Sequence, residues 1–174
     1  MAITDRHFRR ALGEFATGVA IVTARGPQDE LIGMTMSSFN SVSVDPPLVL
    51  FSVDRRANSL PAMLAADAYA VNVLARDQET LSNQFARALS DKWSTARAVL
   101  GERKAPLIAG ALAHFECEPY AHHEGGDHVI FVARVRDYTV RPDETAPLIF
   151  FRGRYRDLRE EAEREHAWPL PIHY

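Results

Sequence analysis

Cysteine is almost missing from this chain. Its 174 residues carry one, Cys117, so no intrachain disulfide can form, which fits a reducing compartment. Long apolar runs are missing as well: none approaches the ~20 residues a bilayer-spanning helix needs. The opening MAITDRHFRRALGEF is studded with charges and has no apolar stretch of the signal-peptide kind, so a cytoplasmic protein without membrane association is expected. Excess charge of either sign is absent too. The 20 Lys and Arg against 23 Asp and Glu leave a net charge of −3 and a pI near 6.2, without the basic footprint of a nucleic-acid binder. The nine glycines spell neither G-x-G-x-x-G nor G-x-x-x-x-G-K-[ST], which argues against a Rossmann dinucleotide site and a P-loop, and no G-x-S-x-G elbow occurs. Cys117 sits between Glu116 and Glu118, whose charges would raise its pKa, so it reads as structural and not as a nucleophile.

What is present is ordinary globular composition, 47% hydrophobic and 25% charged. One domain spanning 1–174 is expected, with a core of about residues 8–158 and a tail over 159–174, burying about 70% of the surface of the extended chain. Apolar positions Phe8, Ala11, Leu12 and Phe15 recur at helical spacing, predicting an amphipathic helix over 4–15. A β-branched run at 18–23, a Gly26-Pro27 turn and Leu31-Ile32-Gly33 predict a hairpin. Further strands are expected at 69–74, 111–120, 127–138 and 147–151, and helices at 62–67 and 77–89, the latter with Leu81, Phe85 and Leu89 as its buried stripe. Residues 90–106 read as a loop with a short helix, and 160–166 as a charged helix. Because strands follow one another more often than they alternate with helices, the fold class is mainly β with flanking helices, an antiparallel barrel.

The chain is organised around residues 33–54, GMTMSSFNSVSVDPPLVLFSVD. The front half is dense in small hydroxyls (Thr35, Ser37, Ser38, Ser41, Ser43) and the back half is apolar apart from Ser52. Pro46 and Pro47 lack N–H donors, so a corner should separate a pair of strands here. Hydroxyls beside free backbone amides suit a polar, oxygen-rich ligand, although a Ser/Thr-rich edge strand facing water reads the same way. Asn58 or Ser59 occupies the N-cap position before Pro61, and a helix start at the end of an apolar strand is a place for a phosphate as well as for simple capping. Lys92 and Trp93 stand either as a ligand cover or as a solvated lysine and a loop anchor. His122, His123 and His128, with Glu124 and Asp127, follow no zinc spacing, and no metal is expected. His128 opens a strong strand directly after Gly125-Gly126, which would hold its ring at a barrel rim.

Four segments in order, FATGVAIVTA, GMTMSSFNSVSVDPPLVLFSV, YAVNVLARDQETLSNQFA, and GGDHVIFVARV followed by PLIFFRGRY, resemble the short-chain flavin reductase family, the NAD(P)H-dependent reductase components of two-component flavin monooxygenases. The resemblance implies an FMN-binding split β-barrel that forms a homodimer with flavin near the subunit interface. It implies that Met34, Thr35, Met36, Ser37 and Ser38 line the ring and ribityl chain of FMN or FAD, that Ser52 and Val53 lie against the cofactor, and that Asn58 and Ser59 hold phosphate. Gln84 and Phe85 would close over the flavin. His128 and the turn Arg152-Gly153-Arg154-Tyr155 would border NADH or NADPH, with His128 orienting the nicotinamide and Arg152 steering its diphosphate. Met36 stands where a small residue is common and would narrow the pocket or shift the preference between FMN and FAD, and Ser52 stands where cysteine is frequent. The same barrel also serves pyridoxamine phosphate-type oxidases, heme-handling proteins and flavin carriers. An oxidase would need a basic cluster for its substrate, for which Arg55-Arg56 is the available pair.

Overall fold

The computed structural model describes residues 4–88 and 91–158. The helix expected at 160–166 and the stripe residue Leu89 lie outside the described residues. In chain order the elements are α1 (Asp5–Leu12), β1 (Thr17–Gly18), β2 (Ala20–Arg25), β3 (Leu31–Met36), β4 (Asn40–Ser43), β5 (Leu48–Asp54), α2 (Leu60–Ala65), β6 (Tyr69–Val73), a 3₁₀ turn (Arg76–Gln78), α3 (Glu79–Ala86), β7 (Ala98–Leu100), β8 (Pro106–Ile108), β9 (Ala113–Gly125), β10 (His128–Val140), β11 (Ile149–Phe151) and β12 (Arg154–Arg156). Seven strands form one sheet in the order β3-β2-β6-β9-β10-β5-β4, with every pairing antiparallel. The strands β1-β11-β12 and the pair β7-β8 make two small sheets beside it. This is the mainly antiparallel fold expected from the order of strands and turns.

The unbroken run Ala20-Ile21-Val22 in β2 is explained by burial on both faces. Ala20, Val22 and Ala24 join a core with Phe51, Tyr69 and Phe131, while Val19 and Ile21 face Leu74, Phe85, Ile108 and Leu148. In the first core the Phe51 and Phe131 rings stack at 5.1 Å, and Tyr69 meets them edge-on at 5.5 and 5.9 Å. Such pairs contribute about 0.5–1.5 kcal/mol each beyond area burial. They lock β5, β6 and β10 to one another, and so fix the strand that carries Ser52 and Val53.

Four expectations shift. Residues 91–106 do not hold a short helix: β7 lies there and pairs as a hairpin with β8, which starts at Pro106. Thr23 Oγ1 donates to the Pro106 carbonyl at 2.5 Å, and Asn72, fully buried, takes the Ile108 N–H on Oδ1 at 2.8 Å while giving Nδ2 to the Ile21 carbonyl at 2.9 Å. These long-range polar bonds hold β8, and local propensity does not encode them. β9 runs past Tyr120 to Gly125, because Pro119 falls at a register shift where a missing N–H is tolerated. The connection to β10 is then the two residues Gly126 and Asp127, with Gly126 at φ +72° as the first position of a primed turn requires. Asp127's carboxylate is thereby set beside the first residue of β10. The 77–89 helix is shortened to α3, with Gln78 accepting the Ala75 N–H at 3.0 Å. On α3, Phe85 and Ser82 are buried and Leu81 is half-buried. Finally, α1 forms over eight residues, but none of them is buried. Among the described residues no helix is long and apolar enough to cross a membrane.

Candidate functional site

β3, the end of β5, the turn into α2 and the C-terminal end of α3 enclose one open cleft of about 730 Å³, within the range of about 300–1,000 Å³ usual for small-molecule sites. Met34, Thr35 and Met36 reach it from β3, Ser37 and Ser38 from the residues that follow, and Ser52 and Val53 from β5. Asn58 and Ser59 reach it from the turn into α2, Phe85 from α3 and His128 from the start of β10. These segments, distant in sequence, meet because β10 pairs with β5 and sets His128 opposite Asp54.

The hydroxyls divide by task. Ser38 Oγ accepts the Ser52 N–H at 3.0 Å and lies 3.4 Å from the Ser52 carbonyl, which stitches the end of β3 to β5 across the cleft. Thr35 Oγ1 donates to the Ser82 carbonyl at 2.6 Å and ties β3 to α3. Ser59 Oγ donates to Met34 Sδ at 3.0 Å; a thioether is a weak acceptor that a ligand oxygen readily replaces. Leu60's N–H already goes to the Ala57 carbonyl at 2.9 Å and Pro61 has none, so neither of these two backbone positions offers a free amide at this turn. Phe85, 1% exposed, lies against the open α-carbon of Gly33, where a side chain would start 2.4 Å from its ring.

At the rim, His128 Nδ1 pairs with Asp127 Oδ1 at 2.8 Å. The carboxylate can only accept, so Nδ1 carries a proton, and Nε2 is left without a hydrogen-bond partner among the described residues. The bond to His128 holds the Asp127 carboxyl below the usual carboxylate range. Arg56 holds Asp54 lower still, through Nη2 to Oδ2 at 2.8 Å and Nε and its backbone N–H to Oδ1 at 3.1 and 2.8 Å. Arg55 is paired with Glu124 and donates to the Gly126 carbonyl at 3.0 Å. Both arginines are thus engaged with neighbouring groups and form no open basic cluster of the kind an oxidase would use.

Four of the expected site residues lie outside this cleft. Gln84 turns its amide to the Lys92 carbonyl at 2.9 Å and accepts from Thr95. Arg152, at φ +51°, forms the β11–β12 turn with Gly153 and is bound to Glu14 at 2.6 Å, alongside a separate pocket next to α1. Tyr155 shares its hydroxyl with Ser82 at 2.8 Å and Asn83 at 3.3 Å. Conversely, Asp54, Ala57, Ala62 and Lys92 line the cleft without a motif that assigns them to it. For Lys92 the sequence holds one signal, the isolated Asp91-Lys92-Trp93 in a featureless polar stretch. Trp93 anchors that loop, donating Nε1 to the Leu31 carbonyl at 2.9 Å and meeting Phe85 edge-on at 5.0 Å. His122 and His123, neighbours on β9, project to opposite faces; His122 packs its ring on Phe131 at 4.6 Å. Cys117 is fully buried and its thiol is pushed up to about 12, by burial first and Glu116 second, so desolvation outweighs the charge effect expected from sequence.

Thioethers, Val53, Ala57, Ala62 and Phe85 offer apolar surface to a flat ring, while Ser37, Ser38, Ser52, Asn58 and Ser59 offer hydroxyl and amide groups to a polyhydroxyl chain. That donor set fits a flavin. Comparison with known proteins agrees. The model of the family described as "Flavin reductase like domain" matches residues 12–159. An NADH-dependent flavin reductase from Rhodococcus sp is 41% identical over 168 residues, covering 95% of this chain and 93% of that protein. The reductase subunit HsaB of a flavin-dependent monooxygenase from Rhodococcus jostii is 33% identical over 167 residues, covering 96% of this chain and 85% of that protein. The NADH:FAD oxidoreductase SgcE6 of Streptomyces globisporus, solved with NAD and FAD fragments, superposes with a TM-score of 0.86 at 41% identity, over 94% of this chain and 99% of that one. With the strand order, the cleft and these relatives in agreement, the chain belongs to the flavin reductase like domain family.

Proposed function

We propose that this protein is an NAD(P)H-dependent flavin reductase that transfers hydride from NADH or NADPH to FMN or FAD and releases reduced flavin to a separate monooxygenase. The observation that carries the reading is the cleft itself, where apolar side chains and hydroxyls from β3, β5 and the α2 turn converge with His128 at the mouth. Flavin and nicotinamide, when bound, supply the redox chemistry; the chain supplies position. Met34, Met36 and Val53 give the ring an apolar bed, and Ser37, Ser38 and Ser52 orient its polar edge and ribityl chain. Asn58 and Ser59 meet its phosphate. His128 Nε2 orients the nicotinamide or ribose and so sets the reacting faces in register, at a separation of roughly 3–3.5 Å. No proton relay is required of the protein.

The open mouth of the cleft supports exchange of flavin as a substrate, and a relative that is the reductase subunit of a monooxygenase supports a partner oxygenase for this chain. Names of relatives that specify NADH favour it as the donor. A homodimer of one-domain subunits is proposed on the exposed apolar side chains of Phe8 (53%), Leu12 (57%) and Phe15 (75%) at the start of the chain. In that assembly a second copy would bring the Arg152-Gly153 turn and Tyr155 to the cleft mouth. The single buried thiol accords with a cytoplasmic setting.

The test is to mix protein, NADH and FMN and follow the nicotinamide absorbance. Flavin-dependent loss of NADH supports reductase turnover, and flavin binding with no NADH consumed replaces this reading by a carrier.

A further inference from the structure

We propose that Lys92 is the cation that receives the flavin's phosphate, anchoring the charged end of the ligand where β3, the end of α3 and the loop from Asp91 meet; the inference rests on the flavin reading of the cleft.

Charge gives the first reason. Among the described residues lining the cleft, Lys92 is the one lysine or arginine, against the carboxylates of Glu30 and Asp54, the latter already neutralised by Arg56. A phosphate entering this cleft meets no other fixed positive charge on its wall. Geometry gives the second. Lys92 Nζ donates to the Gly33 carbonyl and to the Phe85 carbonyl, each at 3.0 Å. An ammonium has three N–H donors, so two neutral carbonyls leave one donor open and the charge unmatched by any carboxylate among the described residues. Partial burial pulls its pKa below the ordinary lysine value, as for a charge held without an acidic partner.

Preorganisation gives the third. The Phe85 carbonyl belongs to the last turn of α3, where carbonyls lack helical partners, and the Gly33 carbonyl belongs to β3, an edge strand. On either side of the ammonium the loop is pinned, by Gln84 Nε2 to the Lys92 carbonyl and by Trp93 Nε1 to the Leu31 carbonyl, both at 2.9 Å. The side chain is therefore set in place before a ligand arrives, unlike a solvated surface lysine. Ser59 reaches Met34, the residue after Gly33, so its hydroxyl and the Lys92 ammonium approach adjoining positions of β3. A phosphate there would take a charge-assisted bond from Lys92 and a neutral one from Ser59.

FMN and riboflavin differ only in the phosphate. Their dissociation constants, read from quenching of flavin fluorescence without nicotinamide, decide the matter on the full chain and its Lys92→Met and Lys92→Arg variants. The unaltered protein should bind FMN more tightly than riboflavin, by a margin that shrinks as salt rises. Lys92→Met should weaken FMN by about 10- to 100-fold, as loss of one charged hydrogen bond does, and leave riboflavin within about twofold. Lys92→Arg should keep most of the FMN affinity. Equal losses for both flavins would make Lys92 a prop for the loop and overturn the proposal. So would unchanged FMN binding with a raised KM for NADH, which would assign the cation to the dinucleotide's diphosphate. Should Lys92→Met fail to fold, equal affinity of the unaltered protein for the two flavins across the salt range overturns it equally well. Binding of neither flavin by the unaltered protein defeats the reading of the cleft itself, and the proposal with it.

Discussion

Replacing Gly33 by alanine should damage stability and ligand binding together. A β-carbon at this position would lie 2.4 and 2.6 Å from Phe85 Cε1 and Cδ1 and 3.2 Å from Trp93 Cζ2. An ordinary carbon contact begins near ~3.5 Å, so the Phe85 ring must retreat by about 1 Å. It has nowhere free to go: it is 1% exposed and held edge-on by Trp93. Overpacking of this kind costs about 1–3 kcal/mol. For a domain of this size that lowers Tm by roughly 2–12 °C, which scanning calorimetry measures directly. FMN affinity should fall as well, because Phe85 walls the cleft and the carbonyls of Gly33 and Phe85 both hold Lys92. The control is Phe85→Leu, destabilising alone, which should be less harmful in the Gly33→Ala background by a coupling of about 0.5–3 kcal/mol. A Gly33→Ala protein that melts at the original temperature, with no coupling to Phe85→Leu, would refute the close approach of α3 to β3 on which this half of the cleft depends.

His128→Ala should raise the KM for NADH or slow flavin reduction several-fold while leaving the FMN dissociation constant nearly unchanged, and Asp127→Asn should move the same parameter less, since it frees the ring without removing it; abolished FMN binding in either variant would contradict the assignment. Cys117 should resist alkylation at mildly alkaline pH, where an ordinary thiol of pKa about 8.5 is largely ionised. Its pKa is raised, so the reactive thiolate is scarce below about 12 while the fold holds, and labelling should appear only as urea unfolds the chain. Rapid labelling of the native protein would show that the residue is neither buried nor inert.

The elements of the fold that announce themselves locally are legible in the sequence. β2 and β5 are apolar runs between turn residues, and the cleft positions from Met34 to Ser38 with Ser52, Val53, Asn58 and Ser59 lie on one continuous stretch that the proline corner folds back on itself. What stays hidden depends on distant partners. β8 is held by Thr23 and Asn72, which are 83 and 36 residues away from their acceptor and donor in it, and nothing in the polar composition of 90–106 records those bonds. Lys92 reaches back 59 residues to Gly33, so its place in the cleft is visible only with the chain folded. Gln84 reads as a ligand contact beside its neighbour Phe85, but on α3 adjacent side chains diverge: Phe85 faces the cleft while Gln84 turns to the 91–95 loop. The exposed Phe8, Leu12 and Phe15 follow the helical period faithfully; periodicity says that a face is apolar, not that a single chain covers it.

Where flavin sits is the central question, and a crystal of the protein soaked in FMN answers it most directly. The account predicts the ring on Met34, Met36 and Val53 and the ribityl phosphate within hydrogen-bond reach of Ser59 and Lys92, with His128 left facing the open side of the ring. FMN bound elsewhere on the chain, with Ser37, Ser38 and Ser59 facing bulk water, would contradict it.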